Sequence, residues 1–150
     1  MDIQKKNFLD ETSAAAEAAG HIFPSMAACE AALESGYGTS GLAIADHNLF
    51  GMKQHSHPEY GTHNLPTKEF VNSEWVVVNA AWVSYPSTKE CFQDRMLTLI
   101  RLAKVYPHYA AALAAKDDGV YITEVSKTWS TDPARGQKVI DIHNLHLGTL

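Results

Sequence analysis

Apolar and small residues recur at helical spacing through the first third of the chain. The positions that share one face are Phe8, Leu9, Thr12, Ala15, Ala16 and Ala19. They predict a helix over residues 7–19 that stops at Gly20. A second helix is predicted from Pro24, where a missing N–H costs nothing, to about Gly36. Glu34 therefore falls on the last turn of an apolar, alanine-rich helix.

The pattern changes in the middle of the chain. Residues 38–61 are rich in Gly, His, Asn, Ser and Pro around a small apolar patch, NLFGMK. This composition predicts a loop-rich segment outside the core. The following segment, TKEFVNSEWVVVNAAWVSY, contains two β-prone runs on either side of Asn72, Ser73 and Glu74. This arrangement predicts a β-hairpin.

The C-terminal half returns to helical periodicity, with turn and N-cap signals in KDDG and STDP. Helices are predicted over residues 87–104, 107–115, 119–128 and 133–143. Residues 1–150 are therefore predicted to form a single domain of the α+β class, mostly helical with one hairpin.

Charge and hydropathy exclude several classes of function. The net charge is −5 and the pI about 5.9, so the chain lacks the basic field that nucleic-acid binding requires. No apolar run approaches the roughly 20 residues of a membrane span. The N-terminus, MDIQKKNFLDETSAA, lacks the apolar segment of a secretory signal. We expect a monomer without nucleic-acid partners, whose export requires other machinery.

The two cysteines, Cys29 and Cys91, are too few for a disulfide framework and do not have metal-ligand spacing. Two buried thiols are the favoured interpretation, and a single bridge stays open. Pairing of either thiol with a histidine for catalysis is the weaker alternative, because Cys29 lies within the alanine-rich helix.

Glu34 is the first candidate for chemistry. The negative end of the helix dipole and the apolar neighbours both disfavour a charged carboxylate at this position. Both effects favour the protonated form that a general acid needs. The alternative is an ordinary surface glutamate near a helix end. Glu30, one turn earlier on the same face, is interpreted as structural or peripheral.

A second candidate acid, Glu69, lies on the first strand of the predicted hairpin. Strand alternation places Thr67, Glu69 and Val71 on one face, where Glu69 points either to water or over a cleft. Glycoside hydrolysis requires at least two acidic side chains that face one groove. The aromatic residues that offer flat faces to sugar rings, or that alternatively belong to the core, are Tyr37, Phe50, Trp82, Tyr85 and Trp129.

The histidine-rich segment HSHPEYGTH raises the question of a metal site. Its spacing matches no zinc motif, and no helix here holds two histidines one turn apart. No metal site is predicted.

Four segments in a fixed order resemble the landmarks of one family. They are FPSMAACEAALESGYGTSGLA, HNLFGMK, TKEFVNSEWVVVNAAWVSYPSTKECFQDRM and WSTDPARGQKVIDI. Together they resemble the glucosaminidase domains of glycoside hydrolase family 73, which occur in bacterial autolysins, flagellar rod proteins and phage lysins. The resemblance runs from about residue 8 to residue 142.

This resemblance implies a lysozyme-like fold, in which a helical bundle and a hairpin lobe flank a substrate groove. It implies hydrolysis of the β-1,4 bond on the reducing side of N-acetylglucosamine in peptidoglycan glycan strands, without a metal or cofactor. Glu34 falls on the family's catalytic acid and Glu69 on its second acidic residue. The candidate substrate-binding residues are Tyr37, Asn48, Phe50, Trp129 and Asp132.

The chain departs from the family pattern at three positions. Glu30 replaces a usual Gln, His47 replaces the first Asn of an Asn-Asn pair, and Trp129 replaces a Tyr. A muramidase or lytic transglycosylase on the same scaffold, and an inactive glycan-binding module, remain as alternatives. The expected place of action is the bacterial cell wall, periplasmic or extracellular, for a phage endolysin, a secreted effector or a domain excised from a longer autolysin.

Overall fold

The structure is a computed structural model that describes residues 2–54 and 60–150. Within these residues the chain forms seven helices and one two-stranded antiparallel sheet. The elements are α1 (Ile3–Ala18), α2 (Pro24–Ser35), α3 (Gly41–Asp46), β1 (Thr62–Val71), β2 (Glu74–Val83), α4 (Thr88–Leu102), α5 (Pro107–Leu113), α6 (Asp118–Trp129) and α7 (Arg135–His146). The predicted α+β class and single hairpin are confirmed.

Helix α2 runs through the middle of the helical bundle. Met26 and every residue from Ala27 to Ala32 are buried, because the small alanine side chains allow α1 and α7 to pack closely against it. The helix ends where predicted: Gly36 takes the left-handed conformation, with φ of 57°, and its N–H bonds to the carbonyl of Ala32.

The described part of residues 38–61 contributes more to the core than the sequence indicated. They include the short helix α3, which begins at Ser40, whose hydroxyl accepts a hydrogen bond from the N–H of Ala43 at 3.2 Å. Leu49, Phe50 and Met52 are buried among α2, α4 and the base of the hairpin. The prediction that this segment lies outside the core is therefore wrong for Leu49, Phe50 and Met52.

The hairpin pairs β1 with β2 over their whole length, from Thr62 opposite Val83 to Val71 opposite Glu74. Asn72 and Ser73 form the turn, and both have positive φ, 51° and 66°, as a type I′ turn requires. The base of the hairpin is joined to the helical part by a bridge between Lys53 and Trp82.

Both cysteines are buried and free, so the favoured interpretation of two buried thiols is confirmed. Burial raises the pKa of each thiol to about 12. Within residues 2–54 and 60–150, none of the helices has the length and apolar character of a membrane span.

Candidate active site

Glu34 lies on the last turn of α2, as predicted, and its side chain is 28% exposed. Its Oε1 accepts a hydrogen bond from Nε of Arg135, at 3.0 Å. Arg135, in the first turn of α7, is only 1% exposed, so the guanidinium approaches the carboxylate from the protein interior. The sequence interpretation of Glu34 did not include this neighbour.

Arg135 uses all three of its guanidinium nitrogens. Besides Nε on Glu34, Nη2 donates to Oε2 of Glu30 at 2.8 Å, and Nη1 donates to the hydroxyl of Ser126 on α6 at 2.9 Å. The side chain thus joins two carboxylates that lie one turn apart on α2 and ties both to α6 and α7.

Glu30 is fully buried at the centre of an ionic network that we call the Glu30 cluster: Glu30, Arg95, Arg135 and Tyr121. Arg95 donates to both carboxylate oxygens, at 3.1 and 2.6 Å, and the Tyr121 hydroxyl donates to Oε1 at 2.6 Å. Burial alone would raise the pKa of Glu30, but the charges of Arg95 and Arg135 lower it to about 2. Of the two roles considered for Glu30, the structural one fits this environment.

Arg95 connects this cluster to two of the predicted aromatic residues. Its guanidinium carbon lies 4.5 Å from the ring centre of Phe50 and 4.1 Å from that of Trp129, within the range of a cation–π contact. The two rings meet edge to face at 6.1 Å. Phe50 is 5% exposed, so its ring packs mainly in the core, whereas Trp129 is only partly buried.

Asn48 is buried and its amide is committed to the backbone. Its Nδ2 donates to the carbonyls of Met52 and Val83, both at 2.9 Å, and its Oδ1 accepts from the N–H of Met52 at 2.9 Å. These contacts hold the segment after α3 against the hairpin. The contacts therefore assign Asn48 a role in positioning this segment.

Two other candidate substrate-binding residues have partners within the chain. The ring of Tyr37 packs edge to face on Phe8 and on His146, with ring centres 6.0 and 5.9 Å apart. Asp132 accepts hydrogen bonds from Nζ of Lys138 at 2.6 Å and from the N–H of Ala134 at 2.9 Å. Asp132 thus stabilises the turn that leads into α7 and Arg135.

Glu69 lies on β1, with its side chain 42% exposed. Its Oε1 pairs with Nζ of Lys53 at 3.1 Å, and that ammonium also lies 5.3 Å from the ring centre of Trp82. The two candidate acids therefore lie on separate elements, Glu34 on the helical bundle and Glu69 on the hairpin.

The histidine-rich segment falls mainly outside the described residues, since His55, His57 and Glu59 are not among them. Within the described part of the chain, no three His, Cys, Asp or Glu side chains are placed to hold a metal ion. His63 instead pairs with Oδ2 of Asp46 at 2.9 Å.

Sequence reasoning missed Arg95, Arg135 and Tyr121 because their partners are distant along the chain. A usable signal was present in Glu30, since an acid inside an alanine-rich, buried helix requires a positive partner. Nothing in the local pattern specifies which of the three arginines fills that role.

The structure has the helical bundle, the hairpin and the part-exposed acid at the end of a central helix that the resemblance to glycoside hydrolases implies. Comparison with known proteins specifies the family. Residues 11–146 match the Glucosaminidase profile, described as mannosyl-glycoprotein endo-beta-N-acetylglucosaminidase. The chain belongs to this family, glycoside hydrolase family 73.

Two relatives illustrate the match. The chain is 32% identical to an autolysin of Enterococcus faecalis over 85% of this chain and 18% of that protein. It is 29% identical to a probable N-acetylmuramidase of Lactococcus lactis subsp. cremoris over 92% of this chain and 33% of that protein. The chain thus spans a third or less of the length of these two relatives.

The catalytic domain of the autolysin Auto from Listeria monocytogenes has the same fold. Its crystal structure superposes with a TM-score of 0.83 at 24% identity, covering 99% of this chain and 88% of that one.

Proposed function

We propose that the domain is a peptidoglycan hydrolase, an endo-β-N-acetylglucosaminidase that cleaves the β-1,4 bond between N-acetylglucosamine and N-acetylmuramic acid. The observation that carries this proposal is Glu34, a part-exposed acid held by Arg135 at the end of a buried helix, in a chain matched to the glucosaminidase family. The names of the relatives, autolysin and N-acetylmuramidase, support a cell-wall glycan as the substrate class.

Glu34 acts as the general acid in this proposal. Because Oε1 accepts from Arg135, the catalytic proton resides on Oε2, which has no hydrogen-bond partner among the described residues. From there the proton passes to the glycosidic oxygen while positive charge develops at C1 of the sugar.

The opposite face of the sugar ring is assigned to Glu69. This carboxylate activates a water, stabilises the developing cation or orients the substrate's own N-acetyl group. A separation of about 5 to 5.5 Å between two catalytic carboxyls favours a direct nucleophile, and about 6.5 to 9.5 Å an intervening water. None of these routes requires a metal or cofactor.

The variant Glu34→Gln tests the assignment of the acid. Glutamine keeps the size of the side chain and an oxygen that accepts from Arg135, but it has no acidic proton to give. We expect release of reducing ends from purified peptidoglycan to fall by about 10²-fold or more, with an unchanged circular dichroism spectrum. Full activity in the folded variant would end the proposal.

Glu69 has a matched control on the same hairpin. Glu69→Gln should reduce the rate, whereas Glu74→Gln, which changes an exposed acid at the start of β2, should leave it unchanged. If the two variants behave alike, Glu69 is a surface acid that pairs with Lys53.

A second candidate function is N-acetylmuramidase, which the name of the Lactococcus relatives favours. It uses the same acid on the same glycan strand and differs only in the bond cut. Reducing-end N-acetylglucosamine among the products supports the first function, and reducing-end muramic acid supports the second.

The proposed place of action is the cell wall, outside the cytoplasm, with peptidoglycan glycan strands as partner and a monomer as the active form. The net charge of −5 offers no attraction to an anionic wall. Within this domain, affinity for the wall therefore depends on contacts with the glycan and not on net charge.

A further inference from the structure

Among the described residues, Arg135 is the only hydrogen-bond partner of the Glu34 side chain. The same guanidinium is fixed by Glu30 and Ser126, and it is 1% exposed. Its position is therefore set by the interior of the protein and not by solvent. The orientation of the Glu34 carboxylate depends on this one side chain.

A buried guanidinium beside a general acid raises a chemical problem, because a positive charge favours the ionised carboxylate and opposes the proton that the acid must carry. Glu30 lies on the other side of the same guanidinium, with Oε2 at 2.8 Å from Nη2. Glu30 thus offsets one of the two guanidinium charges, those of Arg95 and Arg135, that lie behind Glu34.

The other groups around these guanidiniums add little charge. Tyr121 and Ser126 on α6 are neutral hydroxyls. His21, which lies 3.3 Å from Arg95, has its pKa lowered to about 4 by burial and by that arginine, so it is neutral near pH 7. Two further titratable side chains, Lys5 on α1 and His146 on α7, contact the ring of Tyr37 instead.

We propose that Arg135 is a positioning residue for Glu34 and that Glu30 is its counter-charge, so that the acid is held in place without being fixed in its ionised form. This inference rests on the proposed function, in which Glu34 is the general acid. It gives the buried Glu30 a role in the reaction although it does not touch the substrate.

The test is the pH profile of kcat/KM for purified peptidoglycan, whose alkaline limb reports loss of the proton from the general acid. Glu30→Gln leaves Arg135 without its counter-charge and should move this limb to lower pH by about one unit. Arg135→Gln removes the positive charge and should move it to higher pH by a similar amount.

Arg135→Lys separates position from charge. Lysine keeps the positive charge, so the limb should stay at its wild-type pH. One ammonium does not reproduce the planar fork that holds both carboxylates, so the rate should fall by about tenfold or more at every pH. Tyr121→Phe is the matched control: it removes a hydrogen bond to Glu30 without a change of charge, and it should lower the melting temperature while the limb stays in place.

Opposite shifts in the two glutamine variants distinguish this role from a purely structural one. Limbs that stay in place or move in the same direction would overturn the role of Glu30, and a full rate in Arg135→Lys would overturn the role of Arg135.

If Glu30→Gln does not fold, the limbs of Arg135→Gln and Arg135→Lys must still differ. If Arg135→Gln also fails to fold, the rate of Arg135→Lys decides. Activity in Glu34→Gln would instead overturn the proposed function itself.

Discussion

Glu30 is fully buried in an alanine-rich helix, a position where an unpaired carboxylate would be strongly unfavourable. Two guanidiniums and a phenol surround it and satisfy both oxygens. Removing one member of such a set leaves an uncompensated buried charge, which typically costs about 3 to 5 kcal/mol. The cluster therefore makes the integrity of the fold and the placement of Glu34 depend on the same side chains.

The stability of the domain should depend on pH through Glu30. Its pKa is about 2 in the folded protein, against 4.5 for an ordinary glutamate, so the unfolded chain takes up a proton first. This contribution is fully present above about pH 4.5 and is lost as the pH falls towards 2, with a magnitude on the order of 3 kcal/mol.

Urea unfolding at a series of acidic pH values measures this contribution. The difference in unfolding free energy between the wild type and Glu30→Gln should shrink as the pH falls through this window. A difference that is independent of pH would show that Glu30 is not selectively ionised by the fold.

Cys29 and Cys91 should be unreactive in the folded protein. Burial raises the pKa of both thiols to about 12, and only the thiolate reacts. A thiol-specific reagent at mildly alkaline pH should therefore detect no cysteine in the native state and two in denaturant. Rapid reaction of a native thiol would mean that α2 or α4 opens readily.

At the scale of elements, the amide of Asn48 holds residues 48–52 against β2. Asn48→Ala removes three hydrogen bonds to Met52 and Val83 and leaves buried backbone groups unpaired. We expect the free energy of unfolding to fall by about 3 kcal/mol. Asn64→Ala, at an exposed position on β1, is the matched control and should change it by less than about 0.5 kcal/mol. Equal effects of the two variants would contradict the assigned role of Asn48.

The hairpin turn offers a stabilising change. Ser73 has φ of 66°, a conformation that costs a residue with a Cβ roughly 1 kcal/mol and suits glycine. Ser73→Gly should therefore slow amide hydrogen exchange in β1 and β2 by about fivefold, and Ser73→Ala should not. Equal protection in both variants would argue against strain at this turn.

The sequence predicted most elements because their signals are local. The spacing of apolar residues located six helices, and the β-prone runs around Asn72 located the hairpin. Helix α3 was missed because its six residues are too few to display a helical period. The burial of Leu49, Phe50 and Met52 was missed because it depends on contacts with α2, α4 and the hairpin.

The same distinction applies to the candidate site. The position of Glu34 at the end of α2 followed from the local pattern and from Gly36. Its partner Arg135 lies 101 residues further along the chain, and no local pattern encodes a pairing over such a distance. The sequence thus located the acid but not the side chain that holds it.

At the scale of the whole molecule, the chain has the fold of a glucosaminidase domain and matches a third or less of the length of the Enterococcus and Lactococcus relatives. The helical bundle supplies the candidate acid and the buried charges behind it, and the hairpin supplies Glu69. The central claim is that these parts together cut one particular bond of the peptidoglycan strand.

Mass spectrometry of the products tests that claim most directly. Purified peptidoglycan digested with the wild-type domain should yield fragments with N-acetylglucosamine at the reducing end, and a parallel digest with Glu34→Gln should yield none. Products that end in reducing muramic acid or in anhydro-muramic acid would contradict the account, as would the same N-acetylglucosamine-ended fragments from the Glu34→Gln digest.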